Sequence, residues 1–256
     1  MDFSRCVVLV TGGGSGLGEG TVRRAQQMGA SVAILDLEAS RGRAIAAELG
    51  ERAVFYPVDV RDTSAVEQAV QTVVTAFGRL DVTVNCAGVA DAARVISRDG
   101  SLFPMDTFRR VLDINLAGLF DVTRHSALHM SKNDPNDDGE RGVIINVASI
   151  AGIEGQAGQA AYSGSKGGVI AMTLPLARDL SSFGIRVMTI CPGIFETGML
   201  ASASDQLRAR LVDIHVFPKR LGRPSEFAHL VQSIVENPML NGEVIRLDAA
   251  TRLSHG

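Results

Sequence analysis

Tyr162 and Lys166 stand four residues apart in AAYSGSKGG (160–168), a stretch otherwise built from alanine, glycine and serine. On a helix, positions i and i+4 share one face about one turn apart, so the phenol and the ammonium point into the same cleft. A free phenol titrates near ~10, too high to act as a base at neutral pH. A neighbouring cation favours the phenolate, which makes the tyrosine usable as a proton acceptor and donor near pH 7. The small residues around the pair are expected to leave room for a cofactor and a substrate. Ser149 ends the apolar run GVIINVAS and is placed to hydrogen-bond a reacting oxygen.

A second cluster carries different chemistry. TGGGSGLGEG (11–20) follows the apolar run CVVLV and opens a helix. Glycines let main-chain N–H groups approach a pyrophosphate, and the helix N-terminus adds partial positive charge. Gly12, Gly16 and Gly18 give the frame TGxxxGxG rather than GxGxxG, and without GK[ST] the turn is not a nucleoside-triphosphate loop. Asp36 closes the next apolar run, 18 positions beyond Gly18. A carboxylate there accepts hydrogen bonds from ribose hydroxyls and repels a 2′-phosphate. Leu37 follows, and no Lys or Arg lies within 12–18, so the predicted cofactor is NAD rather than NADP. Asp59, in VDV, is expected near the adenine. In Asn85-Cys86-Ala87-Gly88, small residues let the main chain pass close to the dinucleotide.

These groups need a scaffold that brings them to one edge. Short apolar runs at 6–12, 31–36, 53–59, 81–88, 142–149, 185–193 and 243–248 read as strands. Several are apolar at consecutive positions, as parallel strands covered on both faces require. Helices are predicted over 16–29, 38–49, 63–77, 106–131, 160–182, 201–213 and 224–236, with Gly29, Gly50, Gly78 and Gly184 as C-terminal stops. The alternation persists to the end, which predicts one doubly wound α/β domain of the Rossmann type over 1–256. The glycine turn, Asp36, Asp59 and 85–88 all fall at the C-terminal ends of strands, where open α/β sheets bind ligands. Two segments break the rhythm: a long connection over 89–105, and SKNDPNDDGER (131–141), which reads as a solvated polar turn.

Composition narrows the classes. A net charge of −3 over 256 residues argues against nucleic-acid binding. No apolar run of 18 residues is present, which argues against a membrane span. MDFSR runs almost directly into the first strand and leaves no room for a signal or transit peptide, so a cytoplasmic location is expected. Cys6, Cys86 and Cys191 read as reduced, mostly buried thiols, with Cys191 beside Pro192 the one closest to the expected site.

TGGGSGLG (11–18), NCAG (85–88), Asn115 in DINLAG, Ser149, YSGSK (162–166) and PGIFET (192–197) together resemble the short-chain dehydrogenase/reductase superfamily over essentially the whole chain. The resemblance implies a catalytic tetrad of Asn115, Ser149, Tyr162 and Lys166. Tyrosine would exchange the proton, serine orient the carbonyl or hydroxyl, lysine also bind the nicotinamide ribose, and asparagine hold a water in a proton relay. It adds Ser15, Leu17, Val60, Pro192, Gly193, Phe195 and Thr197 to the cofactor contacts. It also implies a seven-stranded parallel sheet in the order 3-2-1-4-5-6-7 and a homotetramer. GVIINVASIAGIEGQAGQAAYSGSKGG and AHLVQSIVENPMLNGEVIRLD are more closely similar to short-chain 3-hydroxyacyl-CoA dehydrogenases, a subfamily that includes a mitochondrial 17β-hydroxysteroid dehydrogenase. RVISRDG (94–100) is less basic than its counterparts there, Gly164 replaces the usual alanine, and the terminal ATRLSHG diverges.

Other features carry less. His125 and His129 have a metal-binding spacing but no third ligand, so no metal is expected. Met199, Leu200, Leu207, Leu211, Val216 and Phe217 suggest a substrate lid over 194–220, or else an ordinary peripheral helix. Gln156 and Gln159 either touch substrate or satisfy main-chain groups. The sequence thus predicts an NAD-dependent oxidoreductase that interconverts a secondary hydroxyl and a ketone. A 3-hydroxyacyl-CoA of fatty-acid metabolism is the leading substrate. The alternatives are a dehydrogenase of a free secondary alcohol or hydroxysteroid, and a non-catalytic nucleotide-binding sensor or scaffold.

Overall fold

A computed structural model describes residues 1–198 and 204–253. The strands are β1 (Val7–Thr11), β2 (Ser31–Asp36), β3 (Ala53–Pro57), β4 (Val82–Asn85), β5 (Gly142–Val147), β6 (Ile185–Pro192) and β7 (Val244–Leu247). They form one sheet in the order β3-β2-β1-β4-β5-β6-β7, as expected, and every pairing is parallel. Helices α1 (Gly16–Gln27), α2 (Gly42–Leu49), α3 (Thr63–Phe77), α4 (Met105–Leu112), α5 (Leu119–Met130), α6 (Ala160–Leu180), α7 (Asp205–Asp213) and α8 (Pro224–Glu236) connect them.

Continuous apolar runs make these central strands because each face meets a different helical layer. Val8, Val10, Val32, Ile34, Val84 and Ile145 point to one side, against Val22 of α1, Ile45 of α2 and Phe227 of α8. Leu9, Ala33, Leu35, Ile144 and Val187 point to the other, against Val70 of α3, Val122 of α5 and Ala177 of α6. Each fully buried Leu, Ile or Phe side chain contributes about 1.5–3 kcal/mol. The predicted helix stops hold: Gly29, Gly50, Gly78 and Gly184 all take positive φ. At the other ends, Asp62 accepts from the Ala65 N–H at 3.0 Å to cap α3. Pro224 opens α8, with Glu226 reaching back to the Arg223 N–H at 2.8 Å.

One row across the sheet breaks the apolar pattern. Thr11, Asn85, Asn146 and Thr189 stand side by side in register on four adjacent strands. Asn85 Nδ2 donates to Asn146 Oδ1 at 2.9 Å and to Thr123 Oγ1 of α5 at 3.1 Å. Thr189 Oγ1 pairs with Thr173 Oγ1 of α6 at 2.6 Å.

Two expectations change. The helix predicted over 106–131 is not uniform: a π-turn, Asp113–Gly118, separates α4 from α5. Its extra residue turns Asn115 into the core, and Gly118 packs against Val60, whose carbonyl a Cβ would meet at 2.8 Å. The 131–141 loop is not wholly solvated either. Glu140 is buried and accepts from Arg186 Nε of β6 at 2.6 Å. Removing either partner of such a pair costs about 3–5 kcal/mol. Helix α7 starts at Asp205; the predicted start at 201, and Met199 and Leu200 of the expected lid, lie outside the described residues.

Candidate active site

The C-terminal ends of β1, β4, β5 and β6 finish beside one another, and the segments leaving them converge. Ser149 begins a tight turn, Ile150–Gly152, immediately after β5. Its Oγ accepts from the Ala151 N–H at 3.1 Å, which leaves the hydroxyl proton free to donate. Its side chain lies beside the Tyr162 phenol, on the first turn of α6, and favours the ionised form of that phenol.

Lys166 lies one turn along the same face of α6, as the spacing predicts, with Nζ 5.9 Å from the centre of the Tyr162 ring. Its ammonium donates to the Val147 carbonyl at 2.7 Å. Burial lowers the lysine to about 8. Burial also pushes the Tyr162 phenol up, against the opposing influence of the neighbouring Ser149 side chain. The sequence expectation that the ammonium lowers the phenol thus gives way to desolvation, because both groups sit away from water.

Asn115 is buried on the π-turn, and both of its amide hydrogens are engaged. Oδ1 accepts from the Val89 N–H at 2.8 Å, while Nδ2 donates to the Val89 carbonyl at 2.9 Å and to Ser165 Oγ at 3.1 Å. Ser165 Oγ in turn donates to the Tyr162 carbonyl at 2.7 Å. The asparagine side chain is a clasp between the segment after β4 and the helix that carries Tyr162, with no amide hydrogen left to hold a water.

The small residues of AAYSGSKGG serve packing more than access. A Cβ at Gly168 would meet Leu116 of the π-turn at 2.9 Å, and one at Gly152 would meet the Lys166 main chain at 2.8 Å. Gly164 alone faces open space.

The glycine turn fits a dinucleotide. A Cβ at Gly12 would lie 2.8 Å from the Ala87 N–H, and one at Gly18 would run into the Gly12 carbonyl oxygen. Gly16 faces Thr197, beyond the end of β6. Main chain therefore lines this turn, with α1 beginning directly behind it. A cavity of about 820 Å³ opens beside Gly16 and Thr197 and reaches Arg24 and Pro224. Ser15 stands at the N-terminus of α1, and Leu17 packs into the core below it.

Asp36 ends β2 with Oδ2 accepting from the Gly14 N–H at 2.9 Å and Oδ1 from the Leu37 N–H at 2.7 Å. A carboxylate has about four acceptor sites, so both oxygens keep capacity for a ribose diol. Asp59 is instead engaged by the Arg61 guanidinium, which holds its carboxyl below the usual range. Asn85 turns its amide into the buried polar row, so only its main chain faces the site. Ala87 N–H donates to Thr11 Oγ1 at 3.2 Å, and Gly88 leaves 3.5 Å between an added Cβ and Lys166 Nζ. Pro192 ends β6 and Gly193 follows it, the Gly193 N–H donating to the Leu247 carbonyl at 2.9 Å. Phe195 is buried against Gly222.

Sequence reasoning missed Ser165, although it lies inside YSGSK, and Ser40, whose Oγ is 2.9 Å from where a Gly14 Cβ would be. It also missed the Val147 carbonyl, which no side-chain pattern reveals. His125 and His129 are buried, and among the described residues no group of three metal-ligating side chains occurs. No helix among them is long and apolar enough to cross a membrane.

Comparison with known proteins gives a consistent picture. The family model for short chain dehydrogenase matches residues 6–208. The chain is 54% identical over 252 residues to a 3-hydroxyacyl-CoA dehydrogenase type-2 of Drosophila melanogaster, covering 98% of this chain and 99% of that protein. It is 52% identical over 248 residues to the Homo sapiens protein of the same name, covering 96% and 95%. The crystal structure of 3-hydroxyacyl-CoA dehydrogenase type-2 from Mycobacterium avium superposes with a TM-score of 0.95 at 42% identity, covering 99% and 98% of the two chains.

Proposed function

We propose that this chain, which belongs to the short chain dehydrogenase family and is an oxidoreductase, interconverts the 3-hydroxyl and 3-oxo groups of an acyl-CoA with NAD as its hydride carrier. The observation that carries the reading is the convergence of Ser149, Tyr162 and Lys166, its Nζ 5.9 Å from the tyrosine ring, at the same sheet edge as the glycine turn. The substrate class rests on full-length similarity to proteins named for it.

A bound nicotinamide would supply the hydride acceptor for oxidation and the hydride donor for reduction. The chain handles the proton and the oxygen. A substrate hydroxyl enters between Ser149 and Tyr162, so that Ser149 Oγ donates to the reacting oxygen while Tyr162 Oη takes its proton. Reduction runs the same positions in reverse. Lys166, fixed by Val147, presents its charge next to Gly88, where it would meet the cofactor ribose. Asn115 keeps α6 and the segment after β4 in fixed relation. Gly12, Ser15, Gly16, Leu17 and Gly18 would hold the pyrophosphate, Asp36 the adenosine ribose, and Asp59 and Val60 the adenine end. Asn85, Ala87 and Gly88, with Pro192, Gly193, Phe195 and Thr197, would line the nicotinamide half.

The segment 194–220 would act as a lid over the substrate. Val216 and Phe217 are 63% and 82% exposed there, and α7 buries none of its residues. Exposed Phe120 and Leu128 of α5 and Leu174 of α6 support self-association, for which a homotetramer is our reading. Three free thiols, two of them buried, fit a reducing compartment such as the cytoplasm.

The test is NADH oxidation with acetoacetyl-CoA beside a panel of free ketones and ketosteroids. A kcat/KM at least about tenfold higher for the thioester, worth ~1.4 kcal/mol of differential stabilisation, is the expected result. Equal or faster reduction of the free ketones overturns the acyl-CoA assignment in favour of a free alcohol or hydroxysteroid.

A further inference from the structure

Arg246 stands in the edge strand β7, in none of the motifs that build the site, yet its guanidinium joins the segment that follows Ser149 to the 248–251 turn beside Gly193. Nη1 donates to Glu154 Oε1 at 2.6 Å. Nε and Nη2 donate to Asp248 Oδ2 at 2.9 and 2.7 Å, and Nη2 also donates to the Thr251 carbonyl at 2.9 Å. Asp248 is nearly buried, and the arginine and Glu154 are each 23% exposed.

Each partner leads back to the chemistry. Glu154 follows the Ser149 turn directly, its N–H bonded to the Ile150 carbonyl at 2.8 Å and its Oε2 to the Leu253 N–H at 3.0 Å. Asp248 packs on Gly193, where a Cβ would come within 2.8 Å of it. Its Oδ1 accepts from the Ala250 N–H at 3.1 Å, which braces Ala249 and Ala250 in left-handed conformations, φ 51° and 58°. Non-glycine residues hold such conformations at a cost of about 1–3 kcal/mol each, so the surrounding contacts must impose them. The turn they form offers the Ala249 carbonyl to the Val216 N–H at 3.1 Å, in the lid segment.

We propose that Arg246 is a positioning residue for the reaction: through Glu154 it sets the turn that aims Ser149 at Tyr162, and through Asp248 and Ala249 it ties that setting to the segment under the lid. A forked donor, gripping one Asp248 oxygen with two nitrogens and Glu154 with the third, suits this task because it fixes angle as well as distance. Serine alignment and lid position are thereby one arrangement rather than two. The proposal rests on the dehydrogenase reading of the site but not on the acyl-CoA assignment.

The experiment measures Arg246→Ala, Glu154→Gln, Arg246→Lys and the Arg246→Ala/Glu154→Gln double variant on whichever ketone the wild type reduces best. Wild-type turnover is the control for the dehydrogenase reading itself: its absence defeats that reading and with it the proposal. NADH affinity is followed separately by fluorescence, and folding by circular dichroism at the assay temperature. The expected result is a kcat lowered about tenfold or more in Arg246→Ala and Glu154→Gln, with NADH affinity within about twofold of wild type. The double variant is expected to lose no more than the worse single, as for two groups acting as one unit. Lysine, lacking the fork, is not expected to restore activity, whereas millimolar guanidinium added to Arg246→Ala is. If Arg246→Ala does not fold, Glu154→Gln, nearly the same shape, carries the test alone. A kcat within about twofold of wild type in a folded variant overturns the proposal, as do losses that multiply in the double variant or a parallel loss of NADH affinity.

Discussion

The Lys166 ammonium donates to the main-chain carbonyl of Val147 across 2.7 Å, not to the phenol one turn away. The lysine is thereby pinned to the end of β5, immediately before the segment that carries Ser149, and its charge sits at a fixed height beside the tyrosine ring. Desolvation dominates both groups, raising Tyr162 and lowering Lys166 to about 8. What remains to favour the phenolate is the Ser149 hydroxyl and the positive charge of an oxidised nicotinamide.

Tyr162→Phe should therefore remove proton transfer and little else. We expect kcat to fall by about two to four orders of magnitude, with NADH affinity near that of wild type in a fluorescence titration. The pH profile gives a second reading. Hydroxyl oxidation needs the phenolate and the phenol is raised, so kcat/KM for oxidation should climb with pH through neutrality in the wild type and lie low and flat in the variant. Unchanged turnover would remove Tyr162 from the mechanism.

Asp36→Ala should relax cofactor choice. The carboxylate at the end of β2 is oriented by the Gly14 and Leu37 amides, and a 2′-phosphate would meet its charge there. We expect the NAD over NADP ratio of kcat/KM to drop by about tenfold or more, corresponding to ~1.4 kcal/mol of lost discrimination. An unaltered ratio would show that another group reads the ribose.

The cysteines should be inert in the folded chain. Burial pushes Cys6 and Cys86 up to about 12 and Cys191 up to about 11, from an ordinary 9.0. At pH 8 the thiolate fraction is then roughly one in a thousand or less, against about one in ten for an ordinary thiol. Because the folded values are raised, their stabilising contribution is full below pH 9 and is lost as pH climbs through 11 to 12. Alkylation at pH 8 should be slow in buffer and complete, at three thiols, in denaturant; rapid native labelling of Cys191 would make it a reactive thiol instead.

Much of this was legible in the residues. The seven strands and their alternation with helices needed only apolar runs and their boundaries, whereas the strand order followed from the resemblance carried by TGGGSGLG, NCAG, Ser149 and YSGSK. The π-turn at Asp113–Gly118 was not, because one extra residue inside a helix hardly disturbs its apolar periodicity. Main-chain partners were equally invisible: no side-chain pattern announces that Val89 takes Asn115 or that Val147 takes Lys166. Glu140 and Arg186 lie 46 positions apart and meet only once β6 is laid down, so the polar loop around Glu140 read as solvent-facing throughout.

The row of Thr11, Asn85, Asn146 and Thr189 has a consequence for how the chain finds its structure. A strand paired one residue out of step would swing an amide or hydroxyl to the opposite face, among valines and isoleucines. Each such unpaired group costs about 1–3 kcal/mol, enough to make a slipped strand 5- to 150-fold rarer. Parallel sheets assemble from distant segments and form slowly, with time to sample wrong alignments. The polar row proofreads them, rejecting any alignment in which the strand ends that carry the chemistry do not finish level.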